Sequence, residues 1–227
     1  MARRTQTKSK SRTAARAGTK RAATTRRKPA AASRSATRRK SAAPRKPARR
    51  RGRLTVTPAM KKIARQMSQM VAEQTVPADA TALLKQDHRE VESFFEQYEQ
   101  LDSKAEKGKL AAKICLMLTV HAMIEEELLY PAAHEESEAV ESDLVDEAIV
   151  EHASAKQLIA EIEAMKPGEE LYDAKVKVLG EYVKHHVKEE ENELFPQLQD
   201  SELDLRELGE KLMQRKIELL AQMTGKA

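Results

Sequence analysis

The chain holds a single cysteine, Cys115, no tryptophan, three phenylalanines and four tyrosines among its 227 residues. One cysteine excludes an internal disulfide and suits a reducing compartment. No run of 18 apolar residues occurs, so no segment reads as a membrane span. The opening residues lack the apolar core of a secretory signal. There is no glycine-rich phosphate loop, no nucleophile triad and no zinc-finger spacing. The sharpest absence is of acid, because no Asp or Glu precedes Glu73.

That absence divides the chain. Residues 1–53 carry 21 Lys or Arg; removing these from the total of 41 leaves 20 basic residues against 36 acidic ones in 54–227. A +21 arm is thus joined to a −16 body, and the net charge of +5 conceals it. The arm is Arg, Lys, Ala, Ser, Thr and Pro, without Leu, Ile, Val, Phe, Tyr or Trp. It cannot bury enough apolar surface to fold alone, so residues 1–57 are expected to be disordered. Dense positive charge of this kind binds phosphates by counterion release, which makes nucleic acid the expected partner and nucleoid association in the cytoplasm the expected location. With no aromatic to stack on bases, neither sequence readout nor single-strand preference is indicated. The stretch SAAPRKPARRRGR resembles the tails of linker histones and bacterial histone-like proteins. An organellar transit peptide is the alternative, although only alanine is available for its apolar face. A membrane-surface role would need lipid-inserting side chains that the arm lacks.

The body is organised by histidine. His88, His121, His152 and His186 lie 33, 31 and 34 residues apart, and the midpoints fall at breaks near Lys104, Glu136 and Glu169. If the segments between breaks are helices of an up-down bundle, each imidazole sits about 16 residues, or roughly 24 Å, from its turns, and all four reach the same height. Helix-period seams carry them: Leu84, His88, Val91, Phe95, Tyr98; then Ile114, Leu118, His121, Glu125, Leu128; then Val145, Ile149, His152, Ala155, Ile159; and Val176, Leu179, Val183, His186, Glu190. Four histidines and two glutamates thus occupy core positions, where an unpaired carboxylate is costly and a cation is the usual remedy.

The second and fourth segments repeat one another. Each has a glutamate four residues after its histidine, on one helical face. Each also has an aromatic residue nine positions on, Tyr130 or Phe195, followed by Pro131 or Pro196. The first and third share an acid-His pair, Asp87-His88 and Glu151-His152. The bundle therefore reads as two tandem helical hairpins.

The segments DHREVESFF, HAMIEEELLYP, EHASAKQLI and HHVKEEENELFP, spread over about 79–199, resemble the hemerythrin family in its HHE cation-binding branch. The resemblance implies an all-α, up-down four-helix bundle around a non-haem di-iron centre bridged by carboxylates. Carried over, the ligands are His88, His121, Glu125, His152, His186 and Glu190. Oxygen-carrying members have a further histidine where this chain has Lys156, which puts reversible oxygen carriage in question and leaves Glu126, Glu189 or a water to fill the position. They also place an aspartate five residues after the fourth-segment histidine, where Glu190 stands at four. Iron suits mixed imidazole–carboxylate donors; manganese and zinc remain alternatives. The implied function is sensing or scavenging of oxygen, nitric oxide, peroxide or iron beside DNA. The alternatives are a di-iron enzyme for peroxide reduction or iron-centre repair, and an architectural nucleoid protein with a structural metal.

Neighbouring candidates are open. His185 and Glu189 could replace His186 and Glu190 by a small rotation, although the match to His121 favours the latter pair. His134 reads as solvated, Tyr182 as a packed core residue and Cys115 as bundle core. Residues 58–76, with Ile63, Met67, Met70 and Val71, and residues 203–224, with Leu205, Leu208, Leu212, Ile217 and Leu220, are expected to be short amphipathic helices. They could pack on the bundle or join two copies.

Overall fold

An apolar stripe on a helix needs a partner surface on which to bury it, and the stripes of this chain bury against one another in an all-helical bundle. The computed structural model describes residues 58–73, 77–136 and 138–224; the basic arm lies outside the described residues. Among these are eight α-helices and no strand: α1 Pro58–Glu73, α2 Ala80–Glu99, α3 Lys104–Ile124, α4 Tyr130–Glu135, α5 Ser142–Glu163, α6 Tyr172–Glu189, α7 Phe195–Asp200 and α8 Leu205–Met223. Side chains mark several starts. The Asp79 carboxylate accepts from the Ala82 N–H at 2.8 Å, and Asp204 accepts from the Glu207 N–H at 2.9 Å, each satisfying a donor that the first helical turn leaves unpaired.

Helices α3 and α4 are one rod joined by a π-helical turn, Glu125–Leu129, and α6 and α7 are joined in the same way by Glu190–Leu194. Proline explains both turns. Pro131 and Pro196 have no N–H and would clash with the carbonyl four residues back in a regular α-helix. Instead the widened turn lets the Tyr130 N–H bond to the Glu125 carbonyl, and the Phe195 N–H to the Glu190 carbonyl. The rod continues through the proline, and each turn opens at a glutamate four residues after a histidine.

The four rods form a closed square in which α2 and α5 each neighbour α3 and α6. Two apolar clusters fill it. One gathers Leu83, Leu84, Leu116, Val120, Ile124, Leu129, Tyr130, Val145, Phe195 and Leu198; the other gathers Val91, Tyr98, Ile114, Cys115, Ile159, Ile162, Val176 and Leu179. Each of the four helices of the square has residues of both clusters flanking its histidine: Leu84 and Val91 around His88, Leu118 and Ile124 around His121, Ala148 and Ile159 around His152, and Val183 and Leu194 around His186; on α3, Leu116, Met117 and Val120 also join the first cluster. The polar residues thus form a single layer between two dry ones. Each large apolar side chain so buried contributes roughly 1.5–3 kcal/mol.

The seam of α5 differs from expectation. Ile149 is 40% exposed, and the buried stripe instead runs Val145, Ala148, His152, Ile159. This is the 3-4 spacing with alanine at its second step, so Ile149 lies one residue, about 100°, off the inner face. Tyr182 is likewise half exposed rather than core, and Met70 is exposed on α1. His134 falls in the last turn of α4, 3.7 Å from Asp146.

Helices α1 and α8 lie against the square. Ala64, Met67 and Val71 of α1 and Leu208, Leu212, Met213 and Leu220 of α8 join the first cluster, and α8 touches α2, α3 and the first π turn. Gly209 permits that approach. A Cβ there would meet the Asp79 carbonyl carbon and the Ala80 nitrogen, both at 2.7 Å, and both are backbone that cannot swing aside. Gly209→Ala is therefore expected to lower stability in urea denaturation by about 1–3 kcal/mol, the usual cost of overpacking. An unchanged midpoint would show that α8 docks less tightly than this.

Candidate metal centre

Four imidazole Nε2 atoms point into the polar layer. His88 and His121 bring theirs to 3.1 Å from each other, and His152 and His186 do the same. Glu125 stands between the pairs, with Oε1 3.1 Å from His121 Nε2 and Oε2 3.3 Å from His152 Nε2. Glu190 brings Oε2 to 3.3 Å from His88 Nε2 and 3.5 Å from His186 Nε2. All six side chains that spacing singles out are buried and converge on one place. They divide into two overlapping donor sets: His88, His121, Glu125 and Glu190, and Glu125, His152 and His186.

Each histidine is held from behind through Nδ1. His88 faces Glu191 at 2.9 Å, His152 faces Glu126 at 3.1 Å, His186 faces Glu151 at 2.8 Å, and His121 faces Asp87 at 3.5 Å. A basic side chain sits behind every one of these acids: Arg89 on Glu191, Lys156 on Glu126, His185 on Glu151 and Lys216 on Asp87. A carboxylate behind Nδ1 fixes the ring and leaves the Nε2 lone pair facing inward, the arrangement typical of metal-ligating histidine. The acid-His pairs read from sequence work across their hairpins, since Asp87 serves His121 rather than His88 and Glu151 serves His186 rather than His152.

The neighbouring candidates lie apart from this layer. Glu126 is engaged by Lys156 and His152. His185 and Glu189, 3.2 Å apart, form with Glu151 a third, more exposed set of possible donors. Tyr130 is a residue that spacing alone does not assign to the layer. Its hydroxyl donates to Glu190 Oε1 at 2.9 Å and lies 3.4 Å from His152 Nε2. The aromatic-proline repeat is its sequence signal, but the repeat does not distinguish Tyr130 from Phe195, which stacks on His88 at 5.9 Å. A mostly apolar cavity of about 230 Å³ adjoins the four histidines, bounded by Val91, Leu118, Ala122, Ile159 and Val183, with exposed Val150 and Tyr182 among its outer residues.

The donor set fits cations. Both oxygens of Glu125 and Oε2 of Glu190 are buried with only imidazole Nε2 atoms as polar neighbours, and a buried carboxylate costs several kcal/mol per ion unless a positive charge is present. Separations near 3 Å are what donors make when they share one cation at bonds of about 2.1 Å. Protons are the stand-ins for metal. Burial disfavours the charged form of His121, but Glu125 and Asp87 outweigh it and raise its pKa to about 10. Burial likewise opposes charge on His152, and Glu125 and Glu126 raise its pKa to about 9. Although burial pushes the other way, His121 and His152 hold the Glu125 carboxyl well below its ordinary range.

These features decide the family. A model of the hemerythrin HHE cation-binding domain matches residues 79–198. The chain belongs to the hemerythrin HHE cation-binding family. The match spans the two hairpins, and the family's metal-binding character agrees with the donor sets found there. A DNA nickase from Nostoc sp. (strain PCC 7120 / SAG 25.82 / UTEX 2576) is 28% identical over 120 residues, which are 52% of this chain and 33% of that protein. The chain thus aligns with about a third of that relative's length. No solved structure matches the chain.

A pH dependence follows for this HHE domain. Metal needs Nε2 unprotonated, yet at neutral pH His121 and His152 hold protons in the metal-free protein, because their folded pKa values exceed the ordinary 6.5. The stability these protons confer is complete below about pH 6.5 and is lost as pH rises through 9 to 10. Metal uptake should release protons and tighten with pH over the same range. Calorimetric titration at pH 7 in buffers of different ionisation enthalpy would measure the release. An observed heat independent of buffer would contradict it.

Proposed function

We propose that this hemerythrin-like protein holds two metal ions, with iron the best match to its donors, and that the basic arm keeps it on nucleic acid. His88 and His121 would hold one ion, His152 and His186 the other, and Glu125 and Glu190 would bridge. The observation that carries this reading is Glu125: a fully buried carboxylate with one oxygen on each histidine pair and no polar partner but the imidazoles. Mixed imidazole and carboxylate donors suit iron, with manganese and zinc as the alternatives. A bound iron pair would supply redox electrons and coordination positions for oxygen, nitric oxide or peroxide.

The protein's own residues set the terms of that chemistry. The four back-side carboxylates hold the imidazole lone pairs inward. Tyr130 donates its hydroxyl proton to one oxygen of Glu190, and its hydroxyl oxygen lies 3.4 Å from His152 Nε2. The apolar cavity beside the histidines admits small uncharged molecules and disfavours ions. Lys156 closes the position of a further histidine with its pair to Glu126. Sensing or scavenging of oxygen, nitric oxide, peroxide or iron beside DNA is the function this supports. The arm's 21 basic residues against no acidic ones support the DNA half. Binding there should weaken steeply with salt, about 0.9 log units per phosphate neutralised for each tenfold rise.

One observation favours a second reading, an enzyme that acts on DNA, since a relative over half of this chain is called a DNA nickase. Supercoiled plasmid incubated with iron- or manganese-loaded protein would distinguish the two. Nicking that disappears in the double variant His121→Ala/Glu125→Ala supports the enzyme, and intact plasmid supports the sensor.

The primary test combines metal analysis with deletion. The full chain is expected to carry about two iron ions, with a visible spectrum that responds to oxygen, peroxide or nitric oxide. His121→Ala/Glu125→Ala should lose the metal and keep DNA binding, while deletion of residues 1–53 should lose DNA binding and keep the metal. DNA binding that survived the deletion would sink the tether.

A further inference from the structure

Of the four basic side chains behind the histidine-backing acids, three meet water: Arg89, Lys156 and His185 are 59%, 37% and 61% exposed. Solvent and salt screen such pairs, and each contributes little energy. The fourth is of another kind. Lys216 is 5% exposed and Asp87 8%, and they are joined by an ion pair within the protein. Nothing screens it, and neither partner can turn to water instead. Lys216 also comes from α8, beyond the 79–198 span that matches the HHE domain.

We propose that Lys216 is a positioning residue for the metal centre, holding the Asp87 carboxylate against Nδ1 of His121 and so making the appended helix α8 part of the site. The geometry gives each oxygen of Asp87 a separate task. Oδ1 meets the ammonium, and Oδ2 faces His121 Nδ1 at 3.5 Å. That nitrogen is buried and meets no polar group other than Asp87, so Asp87 is the group that selects its tautomer and directs Nε2 toward Glu125 and His88. Without Lys216 the carboxylate would be an uncompensated buried charge, free to turn away or take up a proton, and His121 would lose its reference. Helix α8 is placed to hold the lysine there. Gly209 lets it approach the start of α2, and Arg215 pairs with Glu127 of the first π turn at 2.6 Å. One helix thus fixes both α2, which carries Asp87, and the turn that carries Glu125.

The proposal rests on the reading that His121 holds a metal ion, and the experiment separates the two. Co²⁺ is titrated into the full-length parent, Lys216→Met, Lys216→Arg, Asp87→Asn and the double variant Asp87→Asn/Lys216→Met, followed by visible absorption, with folding checked by circular dichroism. The parent is expected to take up two Co²⁺. Lys216→Met should weaken one of the two steps by about 10–100-fold, the usual effect of losing an outer partner of a ligand, and leave the other unchanged. Lys216→Arg should restore most of the lost affinity. The double variant should bind no more weakly than Asp87→Asn alone, because both changes break one chain of contacts. Equal weakening of both steps would mean a loosened bundle and would overturn the role, as would a folded Lys216→Met that binds like the parent. If Lys216→Met does not fold, the double variant, which lacks the uncompensated charge, decides. Binding equal to Asp87→Asn supports the proposal and further loss overturns it. A parent that took up no Co²⁺ would overturn the metal-centre reading itself, and the role of Lys216 with it.

Discussion

A buried carboxylate shared between two histidine pairs is the constraint around which this bundle is arranged. Glu125 is fully buried between two apolar clusters, and its nearest polar neighbours are imidazoles. An interior that dry makes charge expensive and gives strength to whatever compensates it. The four histidines, the acids behind them and the basic groups behind those acids form shells running outward from Glu125 and Glu190. The apolar clusters above and below keep the inner members dry, while Arg89, Lys156 and His185 meet water. Stability and site are therefore not separable here, because the layer that could hold cations is also the layer at which the four helices of the square pass from one half of the core to the other.

Much of this was legible in the sequence, and for a definite reason. Helical hairpins of equal length turn a linear spacing into a common height, so near-equal gaps between His88, His121, His152 and His186 report convergence directly. The four-residue step to Glu125 and Glu190 reports a shared face. What spacing could not show was direction around the helix. Ile149 looked like a seam residue because it is large and apolar, while Ala148, which takes the inner position, carries almost no hydrophobic signal. Tyr182 misled in the same way. The partners of Nδ1 were visible only as repeated acids beside the histidines, and their crossing from one helix of a hairpin to the other is a tertiary fact. Lys216 gave no sign at all, since a lysine on an amphipathic helix ordinarily reads as solvent-facing.

The π turns show how local covalent chemistry becomes site geometry. Proline at 131 and 196 removes one donor and demands room for its ring, and the widened turn that answers this demand begins at a glutamate of the layer. An uninterrupted α-helix through these positions would carry Tyr130 and Phe195 about a residue's rotation away from where they lie. The proline therefore acts at a distance of six residues, by setting which face the aromatic presents. The same device occurs once in each hairpin, so the two halves of the layer are built alike.

They are not identical, and one difference is a single oxygen atom. Tyr130 and Phe195 hold equivalent places, but only Tyr130 carries a hydroxyl, and it engages one oxygen of Glu190 while Glu125 meets only imidazoles. The near-twofold arrangement is thereby broken at its centre. Two cations bound there would experience unequal fields and would fill in sequence rather than together. A half-loaded molecule would then have one preferred address, and scarcity of metal would produce a defined species instead of a mixture.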